Sequence, residues 1–202
     1  MNRFLPPVQR PPTTPPPVHV DGQVLYLDFD GVLHPEDVWR RPGSGPYVAT
    51  PAGHKLFEHA SLLVALLAPY PDVRIVLSTN WVRVLGSVRK VAHRLPEPLR
   101  ARVVGATFHG DMDADLYANM PRGMQVWADV RRRHPAAWLA LDDQNDGWPD
   151  AALDHLVLTD PVLGISEPGV YRTMQAKLAA LVAPGDAAVL SRIPIESGNS
   201  QI

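Results

Sequence analysis

From residue 23 onward the chain alternates short apolar runs with helical stretches, and that alternation restricts the fold more than any other feature. The apolar runs are QVLYLDF (23–29), DVRIVLST (72–79), RVVGAT (102–107), AWLALDD (137–143) and HLVLTD (155–160). Each has the length of a buried strand. Between them lie helical signals. Thr50 is placed to cap a helix with Pro51 at its first position, and Leu56, Ala60, Leu63, Leu66 and Leu67 then form an apolar stripe. Residues 81–95 read as one helix ended by Pro96 and Pro98, residues 120–135 as another stopped by Pro135, and 169–183 as the last. Strands and helices in this order build an α/β fold: a Rossmann-like three-layer sandwich with a mainly parallel central sheet of about five strands.

Ligands of such sheets bind beyond the carboxyl ends of the strands. There the sequence places Asp28 and Asp30, then Ser78, Thr79 and Asn80, then Asp142 and Asp143, then Thr159 and Asp160. Acidic groups gathered on one rim repel unless something positive stands among them. Hard oxygen donors, with no cysteine and no histidines at ligand spacing, point to Mg²⁺ rather than zinc. Magnesium sites of this kind are completed by substrate phosphate. A carboxylate can attack phosphorus to give an acyl-phosphate, and a second can protonate the leaving oxygen and later activate water. The period of a strand sends Asp28 and Asp30 to the same side with Phe29 turned away, and Gly31 lets the chain swing off to admit metal and phosphate.

LDFDGVL (27–33), IVLSTNW (75–81) and LALDD (139–143) resemble the first, second and fourth motifs of the haloacid dehalogenase-like phosphohydrolases. Arg122, ahead of the fourth, fits the basic third motif. STNW, VVGAT, WLALDD and TDPVLGIS narrow the resemblance to the branch related to modular RNA-repair proteins. The resemblance implies that Asp28 is nucleophile and metal ligand. Asp30 is then the general acid/base, with its backbone carbonyl on the metal. Thr79, preferred over Ser78 because the following Asn and Trp then align, holds the phosphoryl group. Arg122 balances its charge. Asp142 binds Mg²⁺ directly, and Asp143 directly or through water. The second acid, Asp30, favours phosphate chemistry over carbon–halogen cleavage. Asn80, Gly31 and His34 are candidates for substrate binding, with a turn role the alternative for His34. Trp81 reads equally as pocket or core, and Asp146 as a support of the metal shell or a cap of the turn at Trp148.

Residues 1–20 hold a Pro-rich arm, extended or disordered; the hydrolase domain is expected over 21–184 and a tail over 185–202. The net charge of -2 gives no global pull toward nucleic acid or membrane. No apolar run approaches the ~20 residues of a membrane helix, and the N-terminal stretch lacks a signal peptide's apolar core, so a cytoplasmic setting is expected. The Asp111, Asp113, Asp115 series is not a calcium loop, since Leu116 stands where that loop needs glycine and Arg122 where it needs glutamate. The basic residues between 82 and 102 read as a solvated helix face, with an anionic polymer as the alternative partner. Neither gap between motifs holds a separate cap domain, so the cap is minimal, with the 34–50 loop as a flap. An open site fits a phosphorylated partner, whether small molecule or nucleic-acid end.

Overall fold

The computed structural model describes residues 22–182, apart from 42, 44 and 111. The Pro-rich arm and the tail expected at 185–202 lie outside the described residues. In chain order the elements are β1 (Gln23–Leu27), β2 (Val38–Arg41), β3 (Gly45–Val48), α1 (Ala60–Leu67), β4 (Arg74–Leu77), α2 (Trp81–Leu85), α3 (Val88–Ala92), α4 (Glu97–Arg100) and β5 (Val103–Ala106). There follow α5 (Ala114–Ala118), α6 (Arg122–Arg133), β6 (Ala137–Asp142), a 3-10 helix at Asp150–His155, β7 (Leu156–Leu158) and α7 (Pro168–Leu181).

The expected parallel sheet is present. Five strands lie in the order β5-β4-β1-β6-β7, and every pairing is parallel. Parallel sheets need cover on both faces, and the side-chain period of two divides the strands accordingly. Leu25, Leu27, Ile75, Leu77, Leu139 and Leu141 pack with Leu63 and Leu67 of α1 and with Met174 and Leu178 of α7. Val24, Tyr26, Val76, Trp138 and Ala140 face the opposite way, onto Val126 and Val130 of α6. The central strand β1 therefore has no exposed apolar side chain from Val24 to Leu27. Among the described residues no helix is long and apolar enough to cross a membrane.

Several local expectations are corrected. The helix expected from Pro51 begins at Ala60, and the Thr50 hydroxyl donates to Asp37. The 81–95 segment is broken: Gly86 turns left-handed (φ 65°) and ends α2, and Ser87 caps α3 through the Lys90 amide. The 34–50 flap is a two-stranded antiparallel hairpin, β2–β3, with Trp39 paired to Tyr47. Of the basic stretch, Arg102 is not a solvated charge. Its guanidinium ties the carbonyls of Leu67, Tyr70, Pro71 and Val73, joining the end of α1 to the edge of the sheet.

Candidate active site

The strand register sets the site. Leu27 pairs with Leu77 on one side and Leu141 on the other, so the next residues, Asp28, Ser78 and Asp142, emerge level on one rim. The strand hydrogen bonding continues one residue further, with the Asp28 amide donating to Leu141 (3.1 Å) and the Ser78 amide to Leu27 (2.9 Å). Asp28 and Asp142 are thus held by sheet backbone with their carboxylates at the rim. Both are buried.

Arg122 joins them from the opposite side. It is the first residue of α6, and the start of that helix is pinned where Gly123 donates its amide to the Asp146 carbonyl (2.9 Å). Gly123 must be glycine here, since a Cβ would stand 2.4 Å from the Trp148 nitrogen. The Arg122 guanidinium is buried. It donates to Asp28 Oδ2 (3.2 Å), to the Ser78 carbonyl and to Gln125 Oε1 (3.2 Å), and its Nε lies 3.4 Å from Asp142 Oδ2. Burial works against its charge, but Asp28 and Asp142 outweigh that and raise its pKa. Gln125 in turn donates to the carbonyls of Tyr117 and Met120, fixing the α5–α6 connection over the arginine. Sequence reading missed Gln125. The available signal was its position three residues after Arg122, on the same helix face.

Asp28 Oδ1 accepts the Phe29 amide (2.8 Å), and the Thr79 side chain acts to lower the pKa of the same carboxyl. The Ser78 hydroxyl is buried without a partner, and that residue serves the site through its carbonyl. One oxygen each of Asp28, Asp142 and Asp143 lies within 4.8 Å of the others. Burial pushes the Asp28 carboxyl upward, and Arg122 opposes it. Burial, with Asp28 adding to it, pushes Asp142 well above the ordinary range. The same two causes bring Asp143 to about 7. Asp142 Oδ2 and Asp143 Oδ1 are buried with no hydrogen-bond partner. Native interiors rarely leave carboxylate oxygens in that state, and a hard divalent cation supplies what they lack. The donor set fits Mg²⁺.

Gly31 follows at φ 68°. Its carbonyl accepts the Thr159 hydroxyl (2.6 Å), and its missing side chain makes room for Asp143. The remaining candidates stand apart from the carboxylate cluster. The Asp30 carboxylate is partly exposed and bonded to His34 and Trp81. Asn80 is exposed at the start of α2, without a capping bond. His34 corrects the expectation that it binds substrate: it is 0% exposed and both ring nitrogens are engaged within the protein. Asp146 is exposed, and its contact at the site is the carbonyl that receives Gly123. Asp113 caps α5 through the amides of Asp115 and Leu116, which accounts for its carboxylate without calcium.

A family model described as the HAD domain in Swiss Army Knife RNA repair proteins matches residues 24–170. The chain belongs to this family. No curated protein and no solved structure gives a significant match. The matched span of this haloacid dehalogenase-like (HAD) domain runs from β1 into the start of α7 and contains the whole carboxylate–arginine cluster.

Proposed function

We propose that this HAD domain is a Mg²⁺-dependent phosphomonoesterase working through an aspartyl-phosphate. The observation that carries the reading is the trio of carboxylates converging on one point, with two buried oxygens that accept no hydrogen bond, beside a buried arginine. Asp28, Asp142, Asp143 and the backbone carbonyl of Asp30 would hold the ion. When bound, it supplies Lewis-acid neutralisation of phosphoryl charge.

The chain's own residues do the rest. Asp28 attacks phosphorus through a carboxylate oxygen, held in place by the Phe29 amide and Arg122. Arg122, already bonded to the nucleophile, balances charge on the phosphoryl oxygens, and Thr79 donates to them beside Asp28. Asp30 gives a proton to the departing oxygen. It then takes one from the water that opens the acyl-phosphate and releases inorganic phosphate.

The substrate is a phosphomonoester. A polynucleotide end is a second reading, favoured by the RNA-repair description of the family and by the absence of a separate cap domain among the described residues. The deciding experiment is phosphate release, with and without Mg²⁺, from an aryl phosphate, nucleotide and sugar monophosphates, and 5′- and 3′-phosphorylated oligonucleotides. Turnover should require Mg²⁺ and vanish in Asp28→Asn. Turnover retained in that variant refutes the mechanism. Metal binding with no turnover across the panel would instead make the domain a phosphate- or partner-binding module.

A further inference from the structure

Asp30 is the proton-transfer group of the proposed reaction, yet nothing in the carboxylate cluster holds it. Two other side chains do. The Trp81 indole N–H donates to both carboxylate oxygens, at 3.0 Å each. His34 Nε2 lies 3.0 Å from Asp30 Oδ1. The direction of that second bond follows from the backbone. The Phe57 amide points at His34 Nδ1 (3.2 Å), and an amide N–H can only donate. Nδ1 is therefore an acceptor, Nε2 carries the hydrogen, and His34 donates to Asp30.

The surroundings fix this arrangement. Phe57 has φ 60°, a left-handed conformation that costs a bulky L-residue about 1–2 kcal/mol. It is the conformation that presents the Phe57 amide to the histidine. The rings of His34, Phe57 and Trp81 contact one another edge-on, with centroids 5.0–6.1 Å apart. From outside, the Arg94 guanidinium lies 5.4 Å from the Trp81 ring centre. A strained backbone, an enclosed imidazole and an indole packed edge-on meet around a single carboxylate.

We propose that His34 and Trp81 are positioning residues for Asp30, holding its carboxylate in the orientation needed for proton transfer to and from the phosphoester. The inference rests on the phosphohydrolase reading above. Neither residue touches substrate in this scheme. Their effect is felt where the reaction depends most on the proton.

The test uses two phosphate esters with different leaving groups, a nitrophenyl phosphate and an alkyl phosphate, with kcat/KM reporting the step in which that group departs. His34→Asn keeps an acceptor near the Phe57 amide and removes the donor to Asp30; His34→Gln carries its amide to the Nε2 position and keeps the donor. Trp81→Phe keeps the ring and removes the N–H. His34→Asn and Trp81→Phe should lose roughly 10- to 100-fold on the alkyl ester and less than about threefold on the nitrophenyl ester, and His34→Gln should recover most of the loss. Equal losses on both esters, or no loss on either, overturn the proposal, because a merely structural role does not sort substrates by leaving group. The contact itself is read without turnover. The Trp81 indole N–H resonance should shift and exchange faster in Asp30→Ala, and an unmoved resonance overturns it. Turnover surviving Asp28→Asn would sink the phosphohydrolase reading while leaving this spectral result standing.

Discussion

Replacing Gly31 by alanine puts a methyl group where Asp143 stands. A Cβ on Gly31 would lie 2.4 Å from Asp143 Oδ2, 2.5 Å from its Cγ and 2.7 Å from its Cβ. The overlap reaches the root of the side chain, so rotating the carboxylate does not relieve it. The backbone adds its own cost: φ is 68°, and the left-handed region costs an L-residue about 1–2 kcal/mol. Displacing Asp143 should bring the total to about 3 kcal/mol. For a domain of this size that lowers Tm by about 6–12 °C. The proposed Mg²⁺ site loses a ligand in the same stroke, and its affinity should fall about tenfold or more. Thermal unfolding with and without Mg²⁺ reads both. The decisive form is a double-mutant cycle. In an Asp143→Gly background the clash is gone, and Gly31→Ala should cost only the backbone share, about 1–2 kcal/mol. An equal cost in both backgrounds would refute the claim that Gly31 exists to admit Asp143.

Two further predictions concern stability. Asp143 is raised to about 7, so between roughly pH 4 and 7 the metal-free folded state binds a proton that the unfolded state releases. Stability without metal should therefore fall as pH rises through that window, by about 1–2 kcal/mol once screening of a partly exposed group is allowed for. Melting curves of wild type and Asp143→Asn at pH 5 and pH 8 check this, and a wild-type slope no steeper than the variant's contradicts it. Beneath α6, Asp129 is buried and receives the Tyr26 hydroxyl (3.0 Å), Arg133 Nε (2.9 Å) and the Arg132 guanidinium. Asp129→Ala removes the carboxylate that ion-pairs with two arginines and should cost about 3–5 kcal/mol in urea unfolding. A loss under about 1 kcal/mol would show that the pair does not stabilise the helix–sheet contact.

What could be read in the sequence was what local chemistry determines alone. QVLYL could only be a strand covered on both faces, and the polar residues after each strand could only share a rim once the strands were parallel. Arg122 was reached only through the family resemblance, as the basic third motif ahead of LALDD. The failures share a cause, in that a distant partner decided the outcome. Thr50–Pro51 has the signature of a helix start, yet the helix begins at Ala60 and the Thr50 hydroxyl donates to Asp37, thirteen residues away. His34 was read as a turn or substrate residue because nothing nearby shows that the Phe57 amide and Asp30 will occupy both its nitrogens. The β2–β3 hairpin is different. Val38 and Trp39 are mirrored by Tyr47 and Val48 across a glycine-containing turn, a hairpin signal that the surrounding Pro and Arg residues obscured.

The electrostatics of the rim connect these observations. Three carboxylates face one guanidinium, so with every acid ionised the cluster carries two uncompensated negative charges. Protons and a divalent cation are the two ways to remove them. The upward shifts of Asp28, Asp142 and Asp143 express the first way: without a cation, burial and mutual repulsion make protonation the cheaper state. The second way would return all three to their ionised form and, on the proposed mechanism, leave Asp28 an unprotonated nucleophile beside Arg122. Asp30 adds to the repulsion on Asp28 but is not one of the carboxylate trio, and its own carboxylate is bonded to His34 and Trp81. Two aspartates with one residue between them thus enter different environments, one set by a guanidinium and fellow carboxylates, the other by an imidazole and an indole. On the proposed mechanism, that separation suits one to act as nucleophile and the other as proton carrier.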